Sequence, residues 1–285
     1  MNLRGVLFLK KALFFDVDGT ITHNSCGLPQ TAVDAIRQAR KNGHLCFLCT
    51  GRPYGIVPDP VIEIGFDGAV CGSGCMVRAG EEYLLEKYID VDVVKGFVSL
   101  LDSMNLPYNF EAFSKAYQNT QMAHINQCQQ DEELEGNPCG REFIERFEKF
   151  KWVDNMSEYD FSIPITKICF RASEEDLKAV RERADKRLIL NTHSGEFMGM
   201  RHTEVIQTGF DKGNGVEMLL SHFNISKENS IGFGDSMNDV DMFKNVGYSV
   251  AMGNCAPKLR ELADFVTLPV WEDGLKKALE KLGLI

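Results

Sequence analysis

The chain has 285 residues, of which 44% are hydrophobic and 25% are charged, proportions that are ordinary for a globular protein. Its formal net charge of −10 argues against a nucleic-acid partner, because proteins that bind nucleic acids usually carry a basic face. No apolar run approaches the roughly 20 residues that a bilayer-spanning helix needs, so we also expect no membrane partner. A small anionic substrate stays possible if a cation supplies positive charge at the site.

The nine cysteines are odd in number and scattered through apolar runs, which predicts reduced thiols and a cytoplasmic location. Cys46 and Cys49 form a CxxC pattern inside a run that is typical of a buried strand. No second pair follows at the spacing of a zinc finger, so core packing is favoured over metal or redox chemistry.

The first predicted strand is the apolar run 12–15, which ends in residues 16–20 (DVDGT). In an extended chain side chains alternate with a period of two, so Asp16 and Asp18 would leave the strand on the same side. Like charges held so close push their pKa values apart unless a cation lies between them. One carboxylate can then act as a nucleophile or metal ligand while the other exchanges a proton. The alternative is a plain turn, since Asp-Gly is a common hairpin signal.

Residues 29–42 have apolar positions at helical spacing, begin with a proline and stop before Gly43, which predicts a helix. A short strand follows and ends in Thr50, Gly51 and Arg52. The two strands and the helix form a β-α-β unit, which implies parallel strands. The hydroxyl of Thr50 and the unshielded N–H of Gly51 could bind an anion, although an ordinary strand exit is the alternative.

Residues 83–200 differ from both ends of the chain in their pattern of predicted strands and helices. Strand-like runs at 83–88, 106–110, 165–171 and 187–191 alternate with helical runs at 92–104, 141–150 and 174–186. Two strands follow each other around residues 111–114, as in a hairpin. This pattern predicts an α+β unit whose antiparallel strands carry helices on one face. Residues 127–140 are polar, acidic and broken by Gly and Pro, so we expect a surface loop there.

Alternating helices and strands return after residue 203. The predicted elements are a helix at 213–223, a strand that ends before Asp235, a helix at 238–246, a strand at 248–252, a helix at 257–263, a strand at 265–267 and a helix at 272–282. They indicate a doubly wound sheet, in which ligands bind beyond the carboxyl ends of the strands. Lys212 stands at the start of the first helix, where free N–H groups and the helix dipole favour an anion. A solvated lysine is the alternative.

The apolar run 231–234 ends in Asp235, and Asn238 and Asp239 follow within one helical turn. Acidic residues at the start of a helix are commonly caps. Three carboxylates and an amide in residues 235–241 exceed what capping requires. Together with the earlier signals, all at strand exits or at a helix start, they predict a reaction centre at one edge of the sheet.

In chain order, DVDGT, the threonine of CTGRP, the lysine of DKGNG and GDSMND resemble the four motifs of the haloacid dehalogenase (HAD) superfamily, which is dominated by phosphatases. The chain most resembles the Cof-type branch, in which a large C2-type cap is inserted between the second and third motifs. Residues 238–274 are similar to the C-terminal signature of that branch. The resemblance implies an α/β fold with a doubly wound, Rossmann-like parallel sheet core at residues 1–82 and 201–285. An inserted α+β cap domain at 83–200 would set substrate specificity.

The resemblance also implies a Mg2+-dependent phosphatase that hydrolyses small phosphorylated metabolites, most often sugar phosphates, through an aspartyl-phosphate intermediate. Asp16 would be the nucleophile and Asp18 the general acid and base. The implied magnesium ligands are Asp16, the backbone carbonyl of Asp18, and Asp235. The implied phosphate contacts are the backbone of Val17, Thr50, Gly51, Lys212 and Asn238. Asp239 would lie behind these groups and orient Lys212 or a water on the metal.

Two other functions stay open: a phosphomutase of similar fold, which would return the phosphoryl group from Asp16 to a second site, and a non-catalytic protein that binds phosphorylated metabolites. The chain departs from the branch at residues 71–75 (CGSGC), where relatives usually carry Asn-Gly. Arg52 could form a structural salt bridge or contact the substrate. Candidate substrate contacts from the cap are Arg171, His193, Arg201 and His202.

Overall fold

The computed structural model describes residues 10–133, 135, 152–153, 156 and 159–285, and their strands form two sheets. The strands are β1 (Ala12–Phe15), β2 (Leu45–Cys49), β3 (Gly68–Cys71), β4 (Met76–Ala79), β5 (Glu82–Glu86), β6 (Tyr108–Ala112), β7 (Ala116–Gln118), β8 (Trp152–Val153), β9 (Ile165–Ala172), β10 (Leu188–Phe197), β11 (Met200–Gln207), β12 (Ser230–Gly234), β13 (Tyr248–Ala251) and β14 (Phe265–Val266). The helices are α1 (Gln30–Lys41), α2 (Asp59–Ile62), α3 (Val91–Ser103), α4 (Thr120–Glu133), α5 (Glu174–Arg183), α6 (Lys212–His222), α7 (Val240–Asn245), α8 (Pro257–Leu262) and α9 (Gly274–Lys281).

β1 lies near the middle of the larger, eight-stranded sheet, whose order is β14-β13-β12-β1-β2-β3-β4-β5. Neighbouring strands from β14 to β3 are parallel, and β4 and β5 extend one edge as antiparallel strands. The carboxyl ends of β1, β2 and β12 therefore meet at one edge of the sheet, which brings together the residues that follow these strands. This topology confirms the predicted doubly wound α/β core.

β1 is completely buried because helices cover both faces of the core sheet. Leu13 and Phe15 pack in one apolar cluster with α1 and α9, whereas Ala12 and Phe14 pack in another with α6 and α7. Phe15 also stacks on Phe233 of β12, with ring centroids 4.8 Å apart. A continuous apolar run is typical of parallel strands that are covered on both sides. The strand that carries the first motif is thus held firmly from both faces.

The smaller sheet has six strands in the order β10-β11-β9-β6-β7-β8, and its neighbours are antiparallel except β7 and β8. Helices α3 and α5 pack on one face. Phe97 of α3 meets Phe170 of β9 edge to face at 5.9 Å, and Leu177 and Val180 of α5 belong to the same apolar cluster. The inserted unit therefore has the α+β architecture that the sequence predicts, including the hairpin of β6 and β7.

The limits of the two sheets do not coincide with the predicted limits of the inserted unit, residues 83–200. β5 pairs with β4 in the core sheet, and β11 pairs with β9 in the cap sheet. The cause is local, because a short turn keeps each of these strands beside the strand before it. In the turn between β10 and β11, Met198 and Gly199 both have positive φ, 52° and 73°, as in the two-residue turns that hairpins favour. The cap sheet therefore ends at Gln207, and residues 83–86 belong to the core sheet.

The acidic stretch predicted as a loop is partly helical. Residues 127–133 belong to α4, and the side chain of Gln127 donates to Asp131 one turn later at 3.0 Å. Such pairs at a spacing of four stabilise a helix even when its residues are polar. Residues 136–140 and the predicted helix at 141–150 lie outside the described residues.

Two helix boundaries near the C-terminus differ from the prediction. Residues 237–239 form a 3-10 turn before α7, so the predicted helix at 238–246 is divided in two. The last helix begins at Gly274 because Asp273 before it adopts a left-handed conformation with a φ of 59°. Within the described ranges, every helix is too short or too polar to cross a bilayer.

The helix that carries Lys212, α6, packs closely on β3 through Gly215. A Cβ atom at Gly215 would lie 2.4 Å from Cγ1 of Val70, much closer than two non-bonded carbon atoms approach. We predict that Gly215→Ala lowers the free energy of unfolding by about 1–3 kcal/mol, because the clash outweighs the gain in helix propensity. Urea unfolding followed by circular dichroism measures the change.

Gly96→Ala is the matched control. Gly96 lies within α3, is exposed, and has no described atom within 4 Å of the position that a Cβ would take. This substitution should raise the free energy of unfolding by about 0.5–1 kcal/mol. A similar stabilisation by Gly215→Ala would contradict the packing described for α6.

Candidate active site

Asp16 follows β1 directly and continues its pairing, since its N–H donates to the carbonyl of Phe233 at 3.0 Å. The residue is only 4% exposed. Its Oδ1 accepts a hydrogen bond from Nζ of Lys212 at 2.7 Å. A buried carboxylate is costly unless it is paired, so this contact fixes the position of the Asp16 side chain.

Asp18 has a different environment from Asp16. The chain turns directly after β1, because the carbonyl of Val17 accepts the N–H of Thr22 at 2.9 Å. The strand alternation that we assumed for the two aspartates therefore does not extend to Asp18. Its side chain is 53% exposed and accepts two hydrogen bonds from the Arg52 guanidinium, at 2.6 and 2.7 Å. Partial burial opposes ionisation, but the charge and hydrogen bonds of Arg52 hold the pKa of Asp18 below its usual range.

Lys212 is the first residue of α6, and its ammonium group is buried. The helix begins there because the side chain of Asp211 accepts an N–H of the first turn at 2.8 Å. Nζ of Lys212 donates to Oδ1 of Asp16 at 2.7 Å, Oδ1 of Asp239 at 2.6 Å and Oδ1 of Asn238 at 3.1 Å. Burial works to lower the pKa of Lys212, but the carboxylates of Asp16 and Asp239 hold it well above its usual range. The side chain is therefore a fixed positive charge.

Asp239 uses both of its carboxylate oxygens within the protein. Oδ1 binds Lys212, and Oδ2 accepts the N–H groups of Asp235 and Ser236, both at 3.0 Å. Gly234 allows this close approach, because a Cβ there would lie 2.6 Å from the Asp239 carboxyl carbon. Asp239 thus joins the loop after β12 to the lysine of α6.

Three carboxylates lie together, with one oxygen each of Asp16, Asp235 and Asp239 within 4.8 Å of one another. Oδ1 of Asp235 is buried and has no hydrogen-bond partner among the described residues. Burial and the neighbouring carboxylates raise the pKa values of Asp16 and Asp235 well above the usual range, although Lys212 opposes this. One ammonium group therefore does not balance the three carboxylates, and the free oxygens of the cluster suit a hard divalent cation such as Mg2+. Gly19 permits the arrangement, because a Cβ there would lie 2.1 Å from Oδ2 of Asp235.

Hydrogen-bond donors surround the space beside Gly51. A Cβ at Gly51 would lie 3.4 Å from Oγ of Ser73, 3.8 Å from Nδ2 of Asn238 and 3.9 Å from Nζ of Lys167. Thr50 is 1% exposed, and its hydroxyl accepts the N–H of the residue two positions later at 3.1 Å. The absence of a side chain at Gly51 leaves room for an anion among these donors.

Asn238 is oriented by two donors that bind the same oxygen. Nζ of Lys212 and Oγ of Ser236 both donate to Oδ1 of Asn238, at 3.1 and 2.8 Å. The amide Nδ2 is consequently the atom that faces Gly51. The side chain of Val17 is completely buried, so only its backbone could make the phosphate contact expected from the sequence.

Two residues at this site were missed by the sequence analysis. Lys167 belongs to the cap, in β9, yet its Nζ donates to the carbonyl of Gly51 at 3.2 Å. Ser73 stands where the Asn-Gly pair is usual, and its φ of 58° is uncommon for a residue other than glycine. The charge of Lys167 inside the apolar run 165–171 was the one available signal, since a buried strand rarely contains a lysine without a partner.

The cap residues proposed from the sequence separate into two groups. Arg171 is 7% exposed and pairs across the strands with His202, and the His193 ring packs edge to face on that of His202 at 5.1 Å. Burial lowers the pKa of His202 to about 3, so its imidazole is neutral. Arg201 instead forms an exposed ion pair with Glu174 of α5 at 3.1 Å, which places it on the helical side of the cap.

The two cysteines of the CxxC pattern face opposite sides of the core sheet. Cys46 packs in the cluster that contains α1, and Cys49 packs in the cluster that contains α6. Burial raises the pKa values of both thiols well above the usual range. They therefore cannot form a joint metal or redox site, in agreement with the core-packing interpretation.

The chain is similar to known proteins over most of its length. Residues 13–279 match the family described as haloacid dehalogenase-like hydrolases. The chain is 26% identical over 275 residues to a phosphoglycolate phosphatase of Methanobrevibacter smithii. The aligned region covers 96% of this chain and 98% of the relative. It is 23% identical over 282 residues to a 5-amino-6-(5-phospho-D-ribitylamino)uracil phosphatase of Bacillus subtilis, which covers 93% and 95% of the two chains.

Solved structures share the fold. A sugar phosphatase of HAD subclass IIB has a TM-score of 0.78 and 24% identity, with 97% of this chain and 100% of that chain covered. A HAD-superfamily phosphatase of Bacteroides thetaiotaomicron has a TM-score of 0.79 and 22% identity, with 100% and 99% covered. Since the family match spans nearly the whole sequence and the relatives are phosphatases, the chain belongs to the haloacid dehalogenase-like hydrolases and is a phosphoric monoester hydrolase of that family.

Proposed function

We propose that the protein is a Mg2+-dependent phosphatase that hydrolyses small phosphorylated metabolites, sugar phosphates among them, through an aspartyl-phosphate on Asp16. The observation that carries this proposal is the buried contact of 2.7 Å between Lys212 Nζ and Asp16 Oδ1, beside Oδ1 of Asp235, which has no hydrogen-bond partner among the described residues. The names of the relatives support the substrate class, because they describe phosphatases of a ribitylaminouracil phosphate, of phosphoglycolate and of sugars.

Asp16 is assigned as the nucleophile. Lys212 holds one oxygen of its carboxylate, and the other oxygen would attack phosphorus. An O–P bond forms to Asp16 while the bond to the leaving alcohol breaks, and the alcohol takes a proton from Asp18. A water that gives its proton back to Asp18 then attacks phosphorus, which releases inorganic phosphate and restores the Asp16 carboxylate. Lys212 neutralises charge on the transferring oxygens throughout.

Asp18 needs to gain a proton before it can act as an acid. In the free protein, Arg52 binds both of its oxygens and keeps it ionised. An arriving phosphate monoester brings negative charge that raises the pKa of Asp18 and competes for the Arg52 guanidinium. Substrate binding would therefore convert the ion pair into a protonated acid beside the leaving oxygen.

The metal ligands proposed are Asp16, Asp235 and the backbone carbonyl of Asp18. Asp239 is excluded from this set because both of its oxygens already accept hydrogen bonds from Lys212 and from backbone N–H groups. Bound Mg2+ would supply the positive charge that the carboxylate cluster lacks and would neutralise phosphoryl oxygens.

The nucleophile is tested by Asp16→Asn. The amide cannot attack phosphorus, so turnover of p-nitrophenyl phosphate in Mg2+ should fall to the background rate while the protein stays folded. Asp34→Asn is the matched control, since Asp34 is an exposed aspartate of α1 that hydrogen bonds only within its helix in the contacts described. Its turnover should equal that of the wild type. Substantial phosphatase activity of Asp16→Asn would show the mechanism to be wrong. With a sugar phosphate as the substrate of the wild type, an isomerised phosphate ester in place of inorganic phosphate would indicate a mutase.

The acid role of Asp18 is tested by how the loss of rate depends on the leaving group. Asp18→Asn should reduce kcat for an alkyl phosphate by about 10²–10⁴-fold, the usual range for general acid–base catalysis. With p-nitrophenyl phosphate, the rate of phosphoenzyme formation should fall by a smaller factor, because p-nitrophenolate leaves without taking up a proton. Single-turnover kinetics with both substrates measure this step. Equal losses for the two substrates would contradict the role.

The metal site is tested through Gly19, whose added Cβ would collide with Asp235. Gly19→Ala should weaken Mg2+ binding by about 10–100-fold, the usual effect of disturbing a group that orients a metal ligand. Isothermal titration calorimetry with Mg2+ measures the affinity directly. Gly43→Ala is the matched control, because Gly43 also has a positive φ, 95° against 84°, but no described atom within 4 Å of an added Cβ. Equal Mg2+ affinity in both variants would contradict the site, as would full activity in EDTA.

A further inference from the structure

The cap sheet has one apolar and one polar face. Alternation along β6, β9 and β11 turns apolar side chains such as Phe110 and Ile168 toward α3 and α5. The strand register places polar side chains on the opposite face, among them Asn109, Glu111, Lys167, His202 and Glu204. All except His202 are less than 10% exposed. Burial of so many polar groups is costly unless each of them has a hydrogen-bond partner, in the protein or in a ligand.

Lys167 marks the end of this face that meets the core. Its Nζ lies 2.9 Å from Oε1 of Glu204 and 3.2 Å from Oε2 of Glu111, and it donates to the carbonyl of Gly51 at 3.2 Å. Two buried carboxylates thus share one ammonium group directly beside the space proposed for phosphate. A buried ionic cluster of this kind contributes little to stability compared with apolar packing, so a ligand is the better reason for its presence.

Buried polar atoms without partners among the described residues lie on the same polar face and beside Gly51. Nδ2 of Asn109 and Nδ1 of His202 have no hydrogen-bond partner among the described residues, and both belong to the polar face. Oγ of Ser73 is likewise unpartnered and lies 3.4 Å from the position of a Cβ at Gly51. A ligand with hydroxyl groups could pair with these atoms, because a hydroxyl group can donate and accept hydrogen bonds at the same time.

We propose that Lys167, Glu111 and Glu204 bind the leaving group of the substrate and select neutral, hydroxyl-bearing alcohols over acidic ones. This rests on the proposed phosphatase function. Lys167 would donate to a substrate oxygen next to the phosphate, and the two carboxylates would accept hydrogen bonds from hydroxyl groups. A substrate carboxylate attached to the carbon that bears the phosphate ester would face the negative charges of Glu111 and Glu204 and the single positive charge of Lys167. Such a substrate would therefore be rejected.

Arg171 does not reverse this preference near the phosphate. It lies on the same face of β9, four residues beyond Lys167, which corresponds to roughly 13 Å along a strand. Its charge therefore acts at the far end of the polar face. The selection against acidic groups applies to those within a few bonds of the phosphate.

The test uses two substrates that differ only at one carbon, 2-hydroxyethyl phosphate and phosphoglycolate. Wild-type kcat/KM should be about 10-fold or more higher for 2-hydroxyethyl phosphate. In Glu204→Gln and in Glu111→Gln the ratio of the two kcat/KM values should fall by about 10-fold, the size expected for loss of a charged hydrogen-bond partner. Glu174→Gln is the matched control, because Glu174 pairs with Arg201 on the helical side of the cap and should leave the ratio unchanged.

The outcomes separate this proposal from the proposed function. Hydrolysis of p-nitrophenyl phosphate by the wild type tests the phosphatase activity alone, and its absence would overturn the proposed function. If that activity is present, a wild-type preference for phosphoglycolate would overturn the selection. Circular dichroism shows which of Glu204→Gln and Glu111→Gln folds. If the ratio of the two kcat/KM values is unchanged in a folded variant, the proposed selection is also overturned.

Discussion

The structure of the site depends on one buried ammonium group. Lys212 is held between Asp16 and Asp239 at 2.7 and 2.6 Å, and none of the three side chains is more than 5% exposed. A charge in such a place is tolerable only when its partners are fixed, and Asp239 is fixed because its second oxygen binds two backbone N–H groups of the loop after β12. Lys212 therefore ties α6, β1 and the β12 loop into a single unit.

The same ammonium group does not balance the charge around it. Asp16, Asp235 and Asp239 supply three carboxylates to one lysine, and Asp235 keeps an oxygen without a described partner. The imbalance explains why the site suits a divalent cation, since three carboxylates and one ammonium group leave a net charge of −2 that such a cation would offset. Glycine makes the cluster possible, because side chains at Gly19 or Gly234 would occupy the space of Asp235 or Asp239.

The four motifs and the parallel core could be predicted from the sequence because apolar runs that end in polar residues define strand exits, and parallel strands align those exits. The limits expected for the inserted unit, residues 83 and 200, do not coincide with the limits of the two sheets, because β5 and β11 follow tight turns that keep them with the preceding strand. Ser73 and Lys167 were missed for different reasons. A left-handed φ at a serine leaves no trace in the sequence, and the distance from Lys167 to Gly51 depends on how the cap meets the core.

We propose that Asp16, positioned by Lys212, becomes phosphorylated during turnover. The most direct measurement is mass spectrometry of peptides from the Asp18→Asn protein, quenched in acid during reaction with p-nitrophenyl phosphate and Mg2+. Loss of the base at residue 18 should slow hydrolysis of the intermediate more than its formation, so phosphate is predicted on Asp16. Phosphate on another residue, or an unmodified Asp16 peptide while p-nitrophenolate is released in a burst, would contradict the account.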